Sequence, residues 1–137
     1  MVGAVIVTHG NLGDEIVKSA ETIIGVQKKL KSVVIKHEDS EVTVRENISK
    51  AISEVDDGDG ILIFTDMFGG TPSNLSLCFL EENRVEVVTG INLPMLIKFS
   101  SERKKAPLPE LAAIIKEYGQ KHILVASQIL QKNKSGL

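Results

Sequence analysis

Cysteine occurs once among the 137 residues, at Cys78, and tryptophan does not occur. One thiol excludes an internal disulfide and a multi-cysteine zinc site, and it fits a reducing compartment. Aromatic residues make up only 4% of the chain. That is too few for a platform on which single-stranded nucleic acid could stack. Neither sign of charge dominates: 16 Lys and Arg stand against 18 Asp and Glu, a formal net charge of -2. Nucleic-acid binding through the phosphate backbone needs a basic surface, so that function class is set aside. No apolar run approaches the roughly 20 residues that span a bilayer. Met1–Val7 lacks the charged start and long apolar centre of a secretion signal. No His, Cys and Asp grouping has metal-ligand spacing. The expectation is a cytoplasmic protein without metal or cofactor.

What is present is ordinary globular composition, 42% hydrophobic and 25% charged, in a length that suits one domain with its own core. Residues 1–130 read as that single domain, and Gln131–Leu137 as a polar C-terminal tail. Val2–Val7 is short, β-branched and apolar throughout, which predicts a strand covered on both faces. Leu12, Ile16, Ala20, Ile23 and Ile24 recur at helical spacing before Gly25. Ser32–Ile35 predicts a second strand. Thr43 with Glu46 suggests a capping box for a helix carrying Val44, Ile48, Ile52 and Val55. Ile61–Thr65 predicts a third strand. Thr71 as N-cap and Pro72 as first helical residue predict a helix over Pro72–Glu82, with Leu75, Cys78 and Phe79 inward.

Arg84–Thr89 predicts a fourth strand, followed by a helix from Pro94 to about Glu102. Another helix carries Leu111, Ala112, Ile115 and Tyr118 and stops at Gly119. Ile123–Leu130 suits either a strand or a helix, and its Ile, Leu and Val content favours the strand. The alternation specifies an α/β fold: a doubly wound, mostly parallel sheet with helices on both faces. Its site lies beyond the carboxyl ends of the strands. The loops there are Thr8–Gly13, Lys36–Glu41, Asp66–Thr71 and Gly90–Leu93.

His9 follows the first strand and Asp66 the third, and these two strands are expected to be neighbours. A carboxylate beside an imidazole fixes its tautomer and orients the other nitrogen as a nucleophile. A histidine that merely caps a strand or bonds a loop would share the same spacing. Gly69-Gly70-Thr71-Pro72 leads into a helix start, where free amides and the helix dipole favour an anion. A glycine turn with a good cap would look alike. No Gly-Lys-Ser/Thr follows it, and the first strand is not followed by a dinucleotide fingerprint. Histidine and anion site together point to a phosphoryl group accepted by His9 and held by amides around Gly70 and Thr71. Phe68, Leu93 and Met95 are apolar and are expected around the site, as contacts for a transient protein partner or as loop packing. His37 reads as exposed in a charged loop, His122 as structural, and Lys28, Lys29 and Lys31 as a solvated basic patch.

Three segments resemble one family. They are Val5-Ile6-Val7-Thr8-His9-Gly10, Phe64-Thr65-Asp66-Met67-Phe68-Gly69-Gly70-Thr71-Pro72-Ser73-Asn74 and Gly90-Ile91-Asn92-Leu93-Pro94-Met95. In order and position they resemble the IIA component of the mannose-family sugar phosphotransferase system, over about residues 2–130. The resemblance implies that His9 takes phosphate from the phosphocarrier protein HPr and passes it to a IIB component. The membrane components IIC and IID would be indirect partners. Asp66 matches the aspartate that orients the histidine, and Gly69, Gly70 and Thr71 fall in the phosphate-binding stretch. Thr71 stands where some relatives carry serine, and Phe68 where some carry tryptophan. The resemblance further implies a homodimer in which a C-terminal strand, here Ile123–Leu130, is exchanged and lies antiparallel in the partner's sheet. Two alternatives stay open. One is the phosphotransfer subunit of dihydroxyacetone kinase; the other is a non-catalytic regulatory or ligand-binding module of the same fold.

Overall fold

β-Branched and apolar side chains fill the strands because both faces of the sheet are covered. A computed structural model describes residues 1–136, and side chains through residue 131. β1 (Gly3–His9), β2 (Leu30–Ile35), β3 (Ile61–Thr65) and β4 (Val85–Thr89) form one sheet in the order β2-β1-β3-β4. All three pairings are parallel, and the order reverses between β1 and β3. The doubly wound parallel sheet expected from the alternation is the one the chain forms.

The pleat sends alternate residues to two cores. Ala4, Ile6, Leu62 and Phe64 pack with α1 (Leu12–Ile24), α4 (Leu93–Glu102) and α5 (Leu108–Lys121). Val5, Val7, Ile61 and Ile63 pack with α2 (Glu41–Val55) and with Leu75 of α3 (Gly70–Leu77). The Phe64 and Phe99 rings meet edge to face, 5.5 Å apart at 88°, a favoured aromatic geometry. Gly3 opens β1 because nothing larger fits: a Cβ there would land on the Val55 carbonyl oxygen.

Arg103 is a buried residue that sequence pattern did not single out. It is 3% exposed and donates to three carbonyls: Nε to Val2 at 3.0 Å, Nη1 to Lys28 at 2.8 Å and Nη2 to Lys29 at 2.8 Å. Its guanidinium also lies 4.8 Å from the Phe99 ring centre. The Lys28-Lys29 backbone is therefore anchored from below, although their side chains are exposed.

Several boundaries differ from the sequence reading. Ser40, not Thr43, caps α2, accepting from the Thr43 amide at 3.1 Å. Helix α3 begins at Gly70 with Gly69 as its N-cap, so Thr71 is a helical residue and not the cap. The helix also ends at Leu77, which leaves Cys78 at its C-cap and exposed, not inward. Gly119 lies inside α5 and does not stop it: a Cβ there would come within 2.5 Å of Met95 Cγ, so glycine serves the close approach of α4.

The C-terminal strand expected over Ile123–Leu130 is corrected: within this chain residues 123–125 carry no regular element and Ala126–Gly136 form α6. Amides of Gln128 and Ile129 bond the Val125 carbonyl at 3.1 and 3.4 Å. A helix satisfies its amides locally, whereas a strand requires a neighbouring strand to pair with. The polar segment from Gln131 continues α6 as far as Gly136, and Leu137 lies outside the described residues. No helix among the described residues is long and apolar enough to cross a membrane.

Candidate functional site

Thr8, at the end of β1, is buried, and its hydroxyl oxygen accepts the Gly13 amide at 2.8 Å. That bond pins the turn into α1. Gly10 has φ +53° and donates its amide to the Ile35 carbonyl at 3.0 Å, tying the same turn to β2. His9 is thus held by the backbone on both sides while its side chain remains 53% exposed.

β3 runs beside β1, with Val7 opposite Thr65, so Asp66 emerges next to His9. The Asp66 Oδ2 atom lies 2.7 Å from His9 Nδ1 and also accepts the His9 amide at 3.0 Å. Its Oδ1 accepts the Met67 amide at 3.1 Å. Asp66 is 11% exposed. Burial opposes its ionisation, but the ring and backbone hydrogen bonds of His9, its charge and a backbone amide outweigh burial and hold the carboxyl below its ordinary value of 3.8. An ionised carboxylate can only accept, so the proton sits on Nδ1. The Nε2 lone pair is then free.

The free nitrogen lies beside the start of α3. A Cβ at Gly70 would sit 3.3 Å from both Nε2 and Cε1 of His9. Gly69 and Gly70 hold φ of +89° and +81°, conformations that favour glycine. The first amides of a helix have no carbonyl one turn back and attract anions. Thr71, exposed in the first turn of α3, lines with His9 a cleft of about 630 Å3. A Gly70→Ala protein is expected to lose roughly 1–2 kcal/mol from its left-handed backbone. The new methyl would also crowd His9 Nε2. Urea unfolding checks the loss of stability.

His9, Asp66, Gly70 and Thr71 therefore meet at one strand end, with Gly69 capping α3. The proposed rim divides. Phe68 is 75% exposed, as a contact residue needs. Leu93 is half-buried against the core. Met95 is corrected to a core residue, 3% exposed, because its α4 position faces the close approach of Gly119. His122 bonds the Tyr118 carbonyl at 2.8 Å and its ring lies 3.9 Å from the Tyr118 ring. His37, read as merely exposed, lines the same cleft as His9. Leu12, read as part of the apolar stripe, is 50% exposed at the start of α1, and Met67, between Asp66 and Phe68, is 56% exposed. No group of three or more His, Cys, Asp or Glu among the described residues could hold a metal ion.

The sequence model of one family, EIIA-man, described as "PTS system fructose IIA component", matches residues 3–116. The chain belongs to this family. All three segments that carried the resemblance lie inside the matched stretch. The mannose-family IIA chain is 29% identical over 136 residues to the "PTS system fructose-specific EIIA component" of Bacillus subtilis, covering 98% of this chain and 93% of that one. It is 28% identical over 124 residues to the "PTS system mannose-specific EIIAB component" of Escherichia coli K12, covering 89% of this chain but 38% of that longer protein.

Solved IIA structures are similar as well. One is phosphotransferase system component EIIA from Streptococcus agalactiae, with a TM-score of 0.85, 28% identity, and coverage of 93% of this chain and 99% of that one. Another is the mannose/sorbose specific IIA subunit from Enterococcus faecalis, with a TM-score of 0.76, 25% identity, and coverage of 90% and 93%. The chain is a mannose-family IIA component, a protein of the sugar phosphotransferase system.

Proposed function

We propose that this IIA component relays a phosphoryl group through His9, taking it from HPr and giving it to a IIB component. The observation that carries this reading is the His9 Nδ1 to Asp66 Oδ2 contact of 2.7 Å, which leaves Nε2 free beside Gly70. In the forward step the Nε2 lone pair attacks phosphorus, and the bond from phosphorus to the donor's imidazole nitrogen breaks. The electron pair of that bond returns to the donor ring, which leaves as neutral imidazole with its own ring proton retained. His9 keeps its Nδ1 proton and becomes a cationic, phosphorylated ring, stabilised by the Asp66 carboxylate. Gly69, Gly70 and Thr71 supply amides, and Thr71 a hydroxyl, to the oxygens in transit. The return step on a IIB histidine reverses the sequence.

The test is incubation with phosphorylated HPr, then with a IIB component. An acid-labile label on His9 that chases onto IIB is the expected result. A label that passes instead to a nucleotide on a dihydroxyacetone kinase partner would overturn the assignment to sugar uptake. Phe68 is assigned to partner contact by its exposure. Residues 1–130 are taken as the relay domain, working in the cytoplasm, where its donor is found.

The proposal extends to a homodimer. The β4 edge has no partner among the described strands, and Ile123, Leu124 and Val125 are 76%, 61% and 57% exposed. Ile123 lines a cleft with Glu86–Thr89 of β4, and an unpaired edge beside an apolar side chain is a surface that proteins ordinarily cover. Sedimentation is expected to give a dimer at micromolar concentration; a monomer there would refute the homodimer.

A further inference from the structure

The cleft beside His9 has an asymmetric wall. Besides His9 and Thr71 it is lined by Asn11, Lys36, His37 and Asp39. Lys36 is the one lysine or arginine among the described residues that line it. Its backbone is fixed: the Lys36 amide donates to Asp39 Oδ2 at 2.9 Å, and the Asp39 amide donates to the Lys36 carbonyl at 3.1 Å. This reciprocal turn holds the Lys36–Asp39 loop in place at the end of β2. The Lys36 side chain is exposed, and its ammonium has no hydrogen bond or ion pair with the described residues. The side chain is therefore not employed in holding the fold.

The charges that must gather here are mostly negative. Asp66 is ionised against the His9 ring, and Asp39 contributes a second carboxylate to the cleft region. A phosphoryl group on Nε2 adds nearly two further negative charges. The amide donors at the head of α3 supply only partial positive charge. An uncommitted lysine lining the same cleft, just after β2, is available to offset the remainder.

Resting on the phosphohistidine relay, we infer that Lys36 is the specificity-determining residue of the His9 cleft: it selects the phosphorylated form of the donor and stabilises the phosphoryl group as it crosses to Nε2. The bond changes are those of the relay step, and Lys36 keeps its protons throughout. Its action is electrostatic, so it falls off with added salt and survives exchange for arginine.

Three variants of the full chain test this: Lys36→Met, Lys36→Arg, and Lys105→Met as a control of equal charge change. Lys105 is exposed and lies by the Arg103–Leu108 loop, next to the start of β1 and away from His9. With phosphorylated HPr as donor, Lys36→Met is expected to accept phosphate about tenfold more slowly at low salt, while Lys36→Arg and Lys105→Met stay near the parent rate. The deficit should shrink as salt is raised. In a His9→Ala background, where the donor keeps its phosphate, phosphorylated HPr should bind about tenfold more tightly than the unphosphorylated form, and Lys36→Met should erase that difference. Parent-like rates and parent-like discrimination in Lys36→Met would overturn the inference, as would an equal loss in Lys105→Met. Absence of any label in the parent would instead refute the relay itself.

Discussion

A His9→Ala protein is expected to take no phosphate from phosphorylated HPr while remaining folded. The reason for total loss is that no other group in the cleft reproduces the pair. His122 has its ring against Tyr118 and its Nδ1 on the Tyr118 carbonyl, outside the cleft. His37 lines the cleft but has no carboxylate orienting it. The fold should survive because the His9 side chain is half-exposed and Asp66 keeps two backbone donors, the amides of His9 and Met67. Acid-labile label on the intact protein, followed by peptide mapping, reads the result. Label at the parent level in His9→Ala, on His37 or elsewhere, would remove the basis of the proposed function.

The second large effect is expected from Asp66→Asn. Asp66 uses both oxygens as acceptors: Oδ2 from the His9 ring and amide, Oδ1 from the Met67 amide. An asparagine has one oxygen. If it faces His9, its NH2 group opposes the Met67 N–H. If it faces Met67, the NH2 opposes Nδ1 and drives the ring proton to Nε2, which removes the attacking lone pair. Either way the developing ring cation loses its counter-charge. By analogy with triads in which the aspartate is replaced by asparagine, transfer should slow by roughly two to four orders of magnitude. A single-turnover transfer assay measures it, and a rate within threefold of the parent would show that Asp66 does not orient the histidine.

The same variant makes a pH statement. The folded carboxyl sits below its ordinary value of 3.8. Its contribution to stability is therefore complete above that value and is lost as the pH falls through the lower folded one. Asp66→Asn should lack this acid-side component in unfolding curves taken between neutral pH and about pH 3.

The elements that were legible in the sequence are those whose signals are local. Val2–Val7 and Ile61–Phe64 are short runs with no polar side chain, ending just before Thr8-His9 and Thr65-Asp66, and both became strands of the buried sheet centre. The periodic stripe from Leu12 to Ile24 became α1 with the same limits, and Gly25 caps it. Less was legible at helix ends. Ser40 and Thr43 are both good caps, and only the folded chain shows Ser40 accepting the Thr43 amide. At α3 the helix starts at Gly70 and ends at Leu77, which leaves Cys78 exposed at its C-cap. The last apolar stretch misled because Ile, Leu and Val suit either a strand or a helix, and only a pairing partner decides between them.

By itself the chain's order of apolar runs, caps and glycines determined an alternating α/β domain and put His9, Asp66 and the Gly69-Gly70-Thr71 segment at strand ends. These are consequences of residue type and spacing over a few positions. Tertiary structure alone decided which imidazole nitrogen is free, because that follows from a 2.7 Å contact between residues on two different strands. It also decided that Met95 belongs to the core and that Lys36 shares a cleft with His9. Such neighbourhoods depend on how helices settle against the sheet, and the free energy that settles them comes from burial summed over the whole domain rather than from any local run of residues.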